Sequence, residues 1–344
     1  MRRGVAALGV CALAAAGCGG SHPKQRVTAS ASTPTVATSA STSAAPAPSP
    51  PRPRQRPRAP FVVGLRVVTF LDTSRTIHFP GRPPGPRPLS TLIRYPALGA
   101  PSGADRTGAR PARAGGPFPL IVFGHGYSVT PGPYAALLRA WARAGYVVAA
   151  PIFPLENANA PGGPDESDLV NQPRDMSFVI SSMLGASARR SGFLSGLIER
   201  HRIVVTGQSD GGETALAVAY DDHFIDRRVT AAAILSGAKI PGVGGFDFPA
   251  PSPPLLATQG TADTINPPSF THAFFDAAPS PKYLLNLFGA PHLGPYTDEE
   301  PQVRIVERVT IAFFDKYLKH GRRALARMLA AGNVPGTSAI QADP

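Results

Sequence analysis

The chain is poor in charge, lysine, tryptophan and cysteine, and each scarcity removes a class of protein. Only 16% of its 344 residues are charged, against 35 glycines and 40 prolines, which excludes a coiled coil or a helical bundle as the main architecture. The two cysteines, Cys11 and Cys18, both lie within the first twenty residues. Everything after them is without a disulfide, a thiol nucleophile or a Cys-based zinc site, so its stability outside the cytoplasm must come from its core. No apolar run reaches the roughly 20 residues that a membrane-spanning helix needs. Phosphate loops, dinucleotide fingerprints and metal-ligand spacings are also missing, and no cofactor is expected.

The net charge of +12 suggests a polyanionic partner until the charges are located. Eight basic residues and no acid fall in the first 60 positions, so residues 61–344 carry only +4. Five of the 34 basic residues are lysine, and no basic stripe or motif gathers the arginines. No nucleic-acid partner is therefore expected.

Hydrophobic residues make up 43% of the chain and the mean hydropathy is −0.03, enough for a sizeable core with residues left for tails. Met1-Arg2-Arg3, the apolar run Val5 to Ala16 and the small residues after it have the layout of a secretory signal. Ala15-Ala16-Gly17-Cys18 resembles a bacterial lipobox, with Ala15 where leucine is usual. That resemblance makes residues 1–18 a lipoprotein-type signal peptide and Cys18 the lipidated residue. The protein is then exported and anchored on the outer face of the bacterial cytoplasmic membrane, or secreted if cleavage is of the ordinary kind. Residues 19–60, rich in Ala, Ser, Thr, Pro and Arg, cannot bury enough surface to offset their ordering entropy and read as a disordered tether.

From Phe61 the pattern changes to short β-branched runs alternating with helical stretches. Strands are expected at 62–70, 89–95, 120–123, 146–150, 203–206, 231–235, 255–259 and 283–288. Helices are expected at 134–144, 171–184, 212–219, 269–277 and 303–320. Near-continuous apolar strands alternating with helices imply a mostly parallel, doubly wound sheet of about eight strands covered on both faces. The first two strands lack an intervening helix and read as an antiparallel edge. Gly81 to Pro88 and Gly99 to Pro119 read as surface loops, residues 61–320 as the folded domain and 321–344 as a C-terminal extension.

Gly207-Gln208-Ser209-Asp210-Gly211 places G-x-S-x-G where the apolar run Ile203 to Thr206 turns into a helix. The mechanism of that motif is a strained elbow that projects a serine hydroxyl above the sheet, with glycines where strand and helix approach too closely for a side chain. A serine hydroxyl is a weak nucleophile at neutral pH, so a base must take its proton and an acid must orient that base. Thr258 to Asp263 and Gly289 to Gly294 each follow an expected strand and carry an acid, Asp263, and a base, His292. Asp247 is the alternative acid, in a Gly/Pro loop. His272 and His320 lie on expected helices.

With these residues in place the chain resembles the α/β-hydrolase superfamily, and within it esterases similar to platelet-activating-factor acetylhydrolase, dienelactone hydrolase and bacterial polyesterases. The resemblance runs from about Val67 to Tyr317, opening at Asp72-Thr73-Ser74-Arg75 and Leu89 to Pro96. It implies an α/β-hydrolase fold and a carboxylic ester hydrolase acting through an acyl-enzyme on Ser209. His292 is then the general base and acid, with Asp263 as its orienting acid. The turn Gly124-His125-Gly126-Tyr127 matches the superfamily's H-G turn, and the backbone N–H groups of Tyr127 and Asp210 become the oxyanion donors. The imidazole of His125 is expected to shape the loop.

Only about fifteen residues, Ala238 to Ser252, separate the strands at 231–235 and 255–259, too few for a folded cap, so the site is expected to be open, with 152–196 available as a rim. Phe246 and Phe248 are candidates for an acyl pocket. The single Trp141 falls in a core helix, which, with the missing disulfide, argues against polyester hydrolysis. A small-molecule or lipid ester is the expected substrate. A serine peptidase or thioesterase of the same fold, or a noncatalytic envelope lipoprotein, remain the alternatives.

Overall fold

The computed structural model describes residues 59–100, 102–238, 243 and 247–344. The signal peptide, Cys18, all but the last two residues of the tether, and Phe246 lie outside the described residues. Among the described residues no helix is long and apolar enough to cross a membrane.

The chain runs through β1 (Val62–Ile77), β2 (Gly85–Ala97), β3 (Arg106–Thr107), β4 (Phe118–Gly124), α1 (Ala135–Arg143), β5 (Val147–Pro151), α2 (Gln172–Ala188) and β6 (Ile198–Gln208). It continues through α3 (Asp210–Tyr220), β7 (Val229–Leu235), β8 (Leu255–Gly260), α4 (Pro268–Ala277), β9 (Lys282–Leu287), α5 (Gly294–Thr297), α6 (Gln302–Leu318), α7 (Ala324–Gly332) and β10 (Ser338–Asp343). The strands form one sheet in the order β10-β9-β8-β7-β6-β4-β5-β2-β1-β3. From β5 to β9 every pairing is parallel, while β2 runs antiparallel to both β1 and β5.

Alternation along the central strands divides their side chains between two layers. Leu120 and Val122 of β4 face a core completed by Met176, Val179 and Ile180 of α2, Leu216 of α3 and Phe274 of α4. Ile121 and Phe123 face the other core, with Leu138 and Trp141 of α1 and Val306, Val309 and Phe313 of α6. Each such side chain, fully buried, contributes about 1.5–3 kcal/mol. Trp141 is fully buried and its indole N–H donates to Thr310 Oγ1 at 2.9 Å, so it is a core residue.

The two loops expected after the first strand are smaller than the sequence suggests. β1 and β2 form a hairpin paired from Val62↔Ala97 to Ile77↔Gly85, with an irregularity between Asp72 and Thr76, where Asp72 accepts from Ser74 and Arg75. Pro86, Pro88 and Pro96 belong to β2 because β5 pairs with it only at Thr91–Arg94, leaving their missing N–H groups without cost. The second loop adds the two-residue β3 to the edge, parallel to Gly64–Leu65. Residues beyond 320, read as an extension, pack as α7 against α6 and return as β10, antiparallel to β9, so they complete the domain's other edge.

One polar cluster ties the hairpin to the helical layer. The buried guanidinium of Arg87 in β2 meets both carboxylates of Asp168, in the 3-10 turn before α2, and Asp175, in α2, at 2.5–2.9 Å. Arg75 adds a 2.6 Å bond to Asp175. Removing one partner of a buried ion pair strands the other charge, at a cost of about 3–5 kcal/mol. Arg87→Ala is expected to lower stability by that amount, read as a shift of the urea midpoint at unchanged slope; a loss below about 1 kcal/mol would mean that the two aspartates are neutral or find other donors.

Candidate active site

The site stands at the carboxyl ends of the parallel strands, where β4, β6 and α3 come into backbone contact. A Cβ on Gly207 would overlap the backbone of Gly211, and one on Gly211 would overlap the carbonyl of Gly124. The chain reverses from β6 into α3 through a single residue, Ser209, held at φ 56° and ψ −122°. A non-glycine residue at such angles is strained, and the tight packing around it keeps it there. All eleven residues of α3 are buried, so the helix has no free face along which to relax.

Asp263 and His292 arrive on the loops after β8 and β9. Asp263 is buried; its Oδ1 accepts the backbone N–H groups of Ile265 and Asn266 at 3.0 and 2.9 Å, and its Oδ2 lies 2.8 Å from His292 Nδ1. Burial works to raise its pKa, but the bond from His292 and those from the backbone outweigh it and hold the carboxyl below its usual range. The alternative acid, Asp247, is exposed and accepts the N–H of Asp222 at 3.1 Å, so it takes no part in the histidine's hydrogen bonding.

The other ring nitrogen meets a residue that sequence reasoning passed over. Gln208 Nε2 lies 3.1 Å from His292 Nε2 and donates to the His292 carbonyl, also at 3.1 Å, while its Oε1 accepts from the Tyr134 hydroxyl at 2.7 Å. These acceptor and donor partners fix the amide's orientation, so an N–H of Gln208 points at Nε2. With a carboxylate at Nδ1 and an amide donor at Nε2, the neutral ring carries its proton on Nδ1 and a lone pair on Nε2. Gln208 fills the variable position of G-x-S-x-G, and a polar residue at the buried end of β6 was the available signal.

The hydroxyl of Ser209 is directed to Asp210 Oδ1 at 3.5 Å, a weak contact, and is not hydrogen-bonded to His292 among the described residues. In an unliganded site such bonds are commonly loose and tighten when substrate arrives. The expected residues are thus gathered at one place, with His292 bonded to Asp263 on one side and to Gln208, the neighbour of Ser209, on the other.

Gly126 lies against the elbow: a Cβ there would come within 2.8 Å of Gln208 Oε1 and 3.1 Å of Ser209 Cβ. It sits between His125 and Tyr127. Burial pushes His125 down to about 4; its Nδ1 donates to the Gly126 carbonyl at 2.9 Å and its Nε2 accepts the Phe153 N–H at 3.0 Å. A buried neutral imidazole with both nitrogens committed holds the loop's shape and does no proton transfer. The N–H of Asp210 belongs to the first turn of α3, where backbone donors have no partner within the helix, and the N–H of Tyr127 has no assigned backbone acceptor among the described residues. Backbone donors of this kind, on the residues next to Gly126 and Ser209, suit an anionic oxygen.

Large apolar side chains are exposed on the loops that carry the site: Tyr127 after β4, Ile265 after β8 and Phe288 after β9 are each more than 40% exposed. Phe248 is not among them: its N–H bonds to the carbonyl of Tyr220 at the far end of α3, about 16 Å along the helix from Ser209, so it lines no acyl pocket there. Among the described residues no group of three or more His, Cys, Asp or Glu is arranged to hold a metal ion.

No curated protein matches the chain. The model of the family described as Chlorophyllase matches residues 109–258, a span that includes the Gly124–Tyr127 turn and the Ser209 elbow and stops short of Asp263 and His292. That family consists of carboxylesterase-type hydrolases within the α/β-hydrolase superfamily. The match supports an ester hydrolase of that type, and the large, mostly parallel sheet flanked by helices is an α/β-hydrolase fold.

Proposed function

We propose that the protein is a serine esterase that cleaves carboxylic esters through an acyl-enzyme on Ser209. The observation that carries the reading is the placement of His292, whose Nδ1 lies 2.8 Å from the buried carboxyl of Asp263 and whose Nε2 lies 3.1 Å from Gln208 Nε2, on the residue before Ser209. Ser209 Oγ attacks the ester carbonyl carbon while Nε2, released by the Gln208 amide, takes its proton. The C=O electron pair moves to oxygen, and the oxyanion is met by the N–H groups of Tyr127 and Asp210, each worth about 3 kcal/mol of barrier. The tetrahedral intermediate collapses, the C–O bond to the alcohol breaks, and the imidazolium returns its proton to the leaving oxygen. Water repeats the sequence on the acyl-enzyme, releasing the acid and restoring Ser209. Asp263 stays ionised throughout, as its surrounding donors favour.

A short-chain acyl preference, two to six carbons, follows from an apolar rim that is exposed. A buried methylene adds about 0.8 kcal/mol only when it leaves water. Small-molecule or lipid esters with short acyl groups are the proposed substrates. The proposed location is the outer face of the cytoplasmic membrane, with Cys18 carrying the lipid; a single acyl chain binds only marginally, so stable anchoring takes more than one.

Ser209→Ala is expected to retain less than a thousandth of wild-type esterase activity and to lose fluorophosphonate labelling while remaining folded, since losing the nucleophile of a comparable triad costs about a millionfold. Asp263→Asn is expected to cost on the order of ten-thousandfold by presenting the wrong tautomer of His292. Retained labelling in Ser209→Ala would overturn the assignment; labelling of the wild type with amide but no ester turnover would move the protein to the peptidases. Across a p-nitrophenyl ester series kcat/KM is expected to peak at or below six carbons, and a steady rise through twelve would reveal a deep acyl tunnel. Cys18→Ser is expected to release the protein from membranes washed with carbonate; equal retention would refute the lipid anchor.

A further inference from the structure

Behind the elbow lies a buried acid for which the proposed mechanism has no use. Glu156, on the loop between β5 and α2, is fully buried, and its neighbours are polar. Its Oε2 accepts from the amide of Gln172, whose own Oε1 accepts from Thr214 Oγ1 of α3 at 2.8 Å. Its side chain faces that of Asp210, the residue after Ser209, and Glu156 Oε1 and Asp210 Oδ2 are both buried without a donor from any other group. Its backbone carbonyl accepts the N–H of Ser128, the residue after Tyr127, at 3.0 Å. One residue therefore reaches both halves of the oxyanion hole.

The contact between Glu156 and Asp210 specifies a protonation state. Two carboxylates only accept, and with both ionised Glu156 Oε1 and Asp210 Oδ2 are buried with no donor. A single proton shared between the two groups supplies the missing donor. Burial, then the Asp210 charge, push Glu156 up to about 10, with Asp168 and Glu166 of the preceding 3-10 turn acting in the same sense. Asp210 is also raised by burial but is drawn back by the bonds from Glu156 and Ser209 and by the nearby His292. The proton accordingly resides on Glu156, which donates to an Asp210 carboxylate.

We propose that Glu156, as a neutral carboxylic acid, is a positioning residue that clamps the two sides of the oxyanion hole, its carbonyl holding the Tyr127–Ser128 turn and its acid proton holding the Asp210 side chain at the start of α3. This rests on reading Tyr127 and Asp210 as the oxyanion donors. The clamp also neutralises one of two acids beside the place where negative charge develops, since an ionised Glu156 would oppose the oxyanion. Glutamine has the same shape and can donate an N–H to Asp210 while accepting from Gln172; alanine keeps the backbone bond to Ser128 but leaves Asp210 without its donor, so the two sides are no longer joined through one residue.

The test compares Glu156→Gln, Glu156→Ala and the wild type over pH 6–10.5, reading kcat and KM on a short p-nitrophenyl ester and, separately, urea stability. Glu156→Ala is expected to lose 10- to 100-fold in kcat with KM changed less than threefold, and Glu156→Gln to recover most of that loss. Above pH 9 the wild-type kcat is expected to fall as Glu156 ionises, and the Gln variant to lack that fall. The stability reading holds even if Glu156→Ala does not fold. A carboxyl raised from its ordinary value to about 10 keeps a proton on folding that the unfolded chain releases, so its contribution is complete below about 4.5 and shrinks as pH rises towards 10. Between pH 7 and 9 the folded-to-unfolded ratio of the wild type should therefore drop about tenfold per pH unit relative to Glu156→Gln. Parallel stability profiles, or equal kcat in Glu156→Ala, would overturn the clamp while Ser209→Ala remained inactive. Activity surviving in Ser209→Ala would instead remove the esterase reading on which it rests.

Discussion

The fold and the site both depend on three backbones meeting without side chains between them, at Gly124, Gly207 and Gly211. A Cβ on any of these would have to displace the backbone of a partner in the set, which no rotamer change can relieve. Because they touch, β4 and β6 are neighbours at the centre of the sheet and α3 is pressed onto their ends with all of its residues buried. The serine's positive φ is a consequence of this contact, because one residue must turn the chain from strand to helix in the space that remains. The turn after β4 inherits its place in the same way: it begins at Gly124, and Gly126 packs against Ser209 Cβ. A strained hydroxyl and the loop opposite it are thus positioned by one steric condition.

Apolar packing frames this contact, and polar bonds fix what packing cannot. The loop from Pro151 to Gln172 crosses beside the site with little regular structure, and apolar contacts alone would allow it to slide. It is held at three separate points. His125 Nε2 takes the N–H of Phe153, Glu156 reaches Ser128 and Asp210, and Asp168 meets Arg87 from the far hairpin. A buried ionic cluster such as that around Arg87 is weak evidence for net stability, yet directional bonds to the two carboxylates of Asp168 and Asp175 narrow the arrangement of hairpin, loop and helix. The loop next to the site is in this respect as defined as a strand.

What could be read in the sequence follows the range of the interactions involved. Parallel strands buried on both faces must be continuous apolar runs, and the helices between them must show a 3.6-residue stripe, so β4 to β9 and α1 to α4 stood out to within a few residues. Ser209, Asp263 and His292 were legible because each follows such a strand within a few residues, and their convergence is a property of the sheet. β3 was not legible, since a two-residue strand borrows its geometry from the edge it joins. β10 was missed for a related reason: Ser338 to Asp343 has a strand's pattern only where Leu287 to Lys282 pairs with it. Gln208, Tyr134 and Glu156 depend on bonds across 84, 74 and tens of residues of chain, for which spacing carries no signal. Phe248 was misplaced because proximity along the chain to β7 says nothing about which end of α3 a loop covers.

Two acids near the elbow are driven in opposite directions, and the contrast accounts for the division of labour proposed for them. Asp263 is buried among donors, with two backbone N–H groups and an imidazole N–H converging on one carboxyl, and it is held ionised despite desolvation. Glu156 has one donor, the amide of Gln172, and is otherwise buried beside the acids Asp210, Asp168 and Glu166, so burial and their charges favour its neutral form. Environments that push apart the pKa values of neighbouring acids are how one fold keeps a charge where it stabilises an imidazolium and withholds it where an oxyanion forms. The two acids therefore acquire distinct tasks from whether the groups around each are N–H donors or the carboxyl oxygens of other side chains. That choice is made by the loops, and the loops are held in place by the contact between Gly124, Gly207 and Gly211.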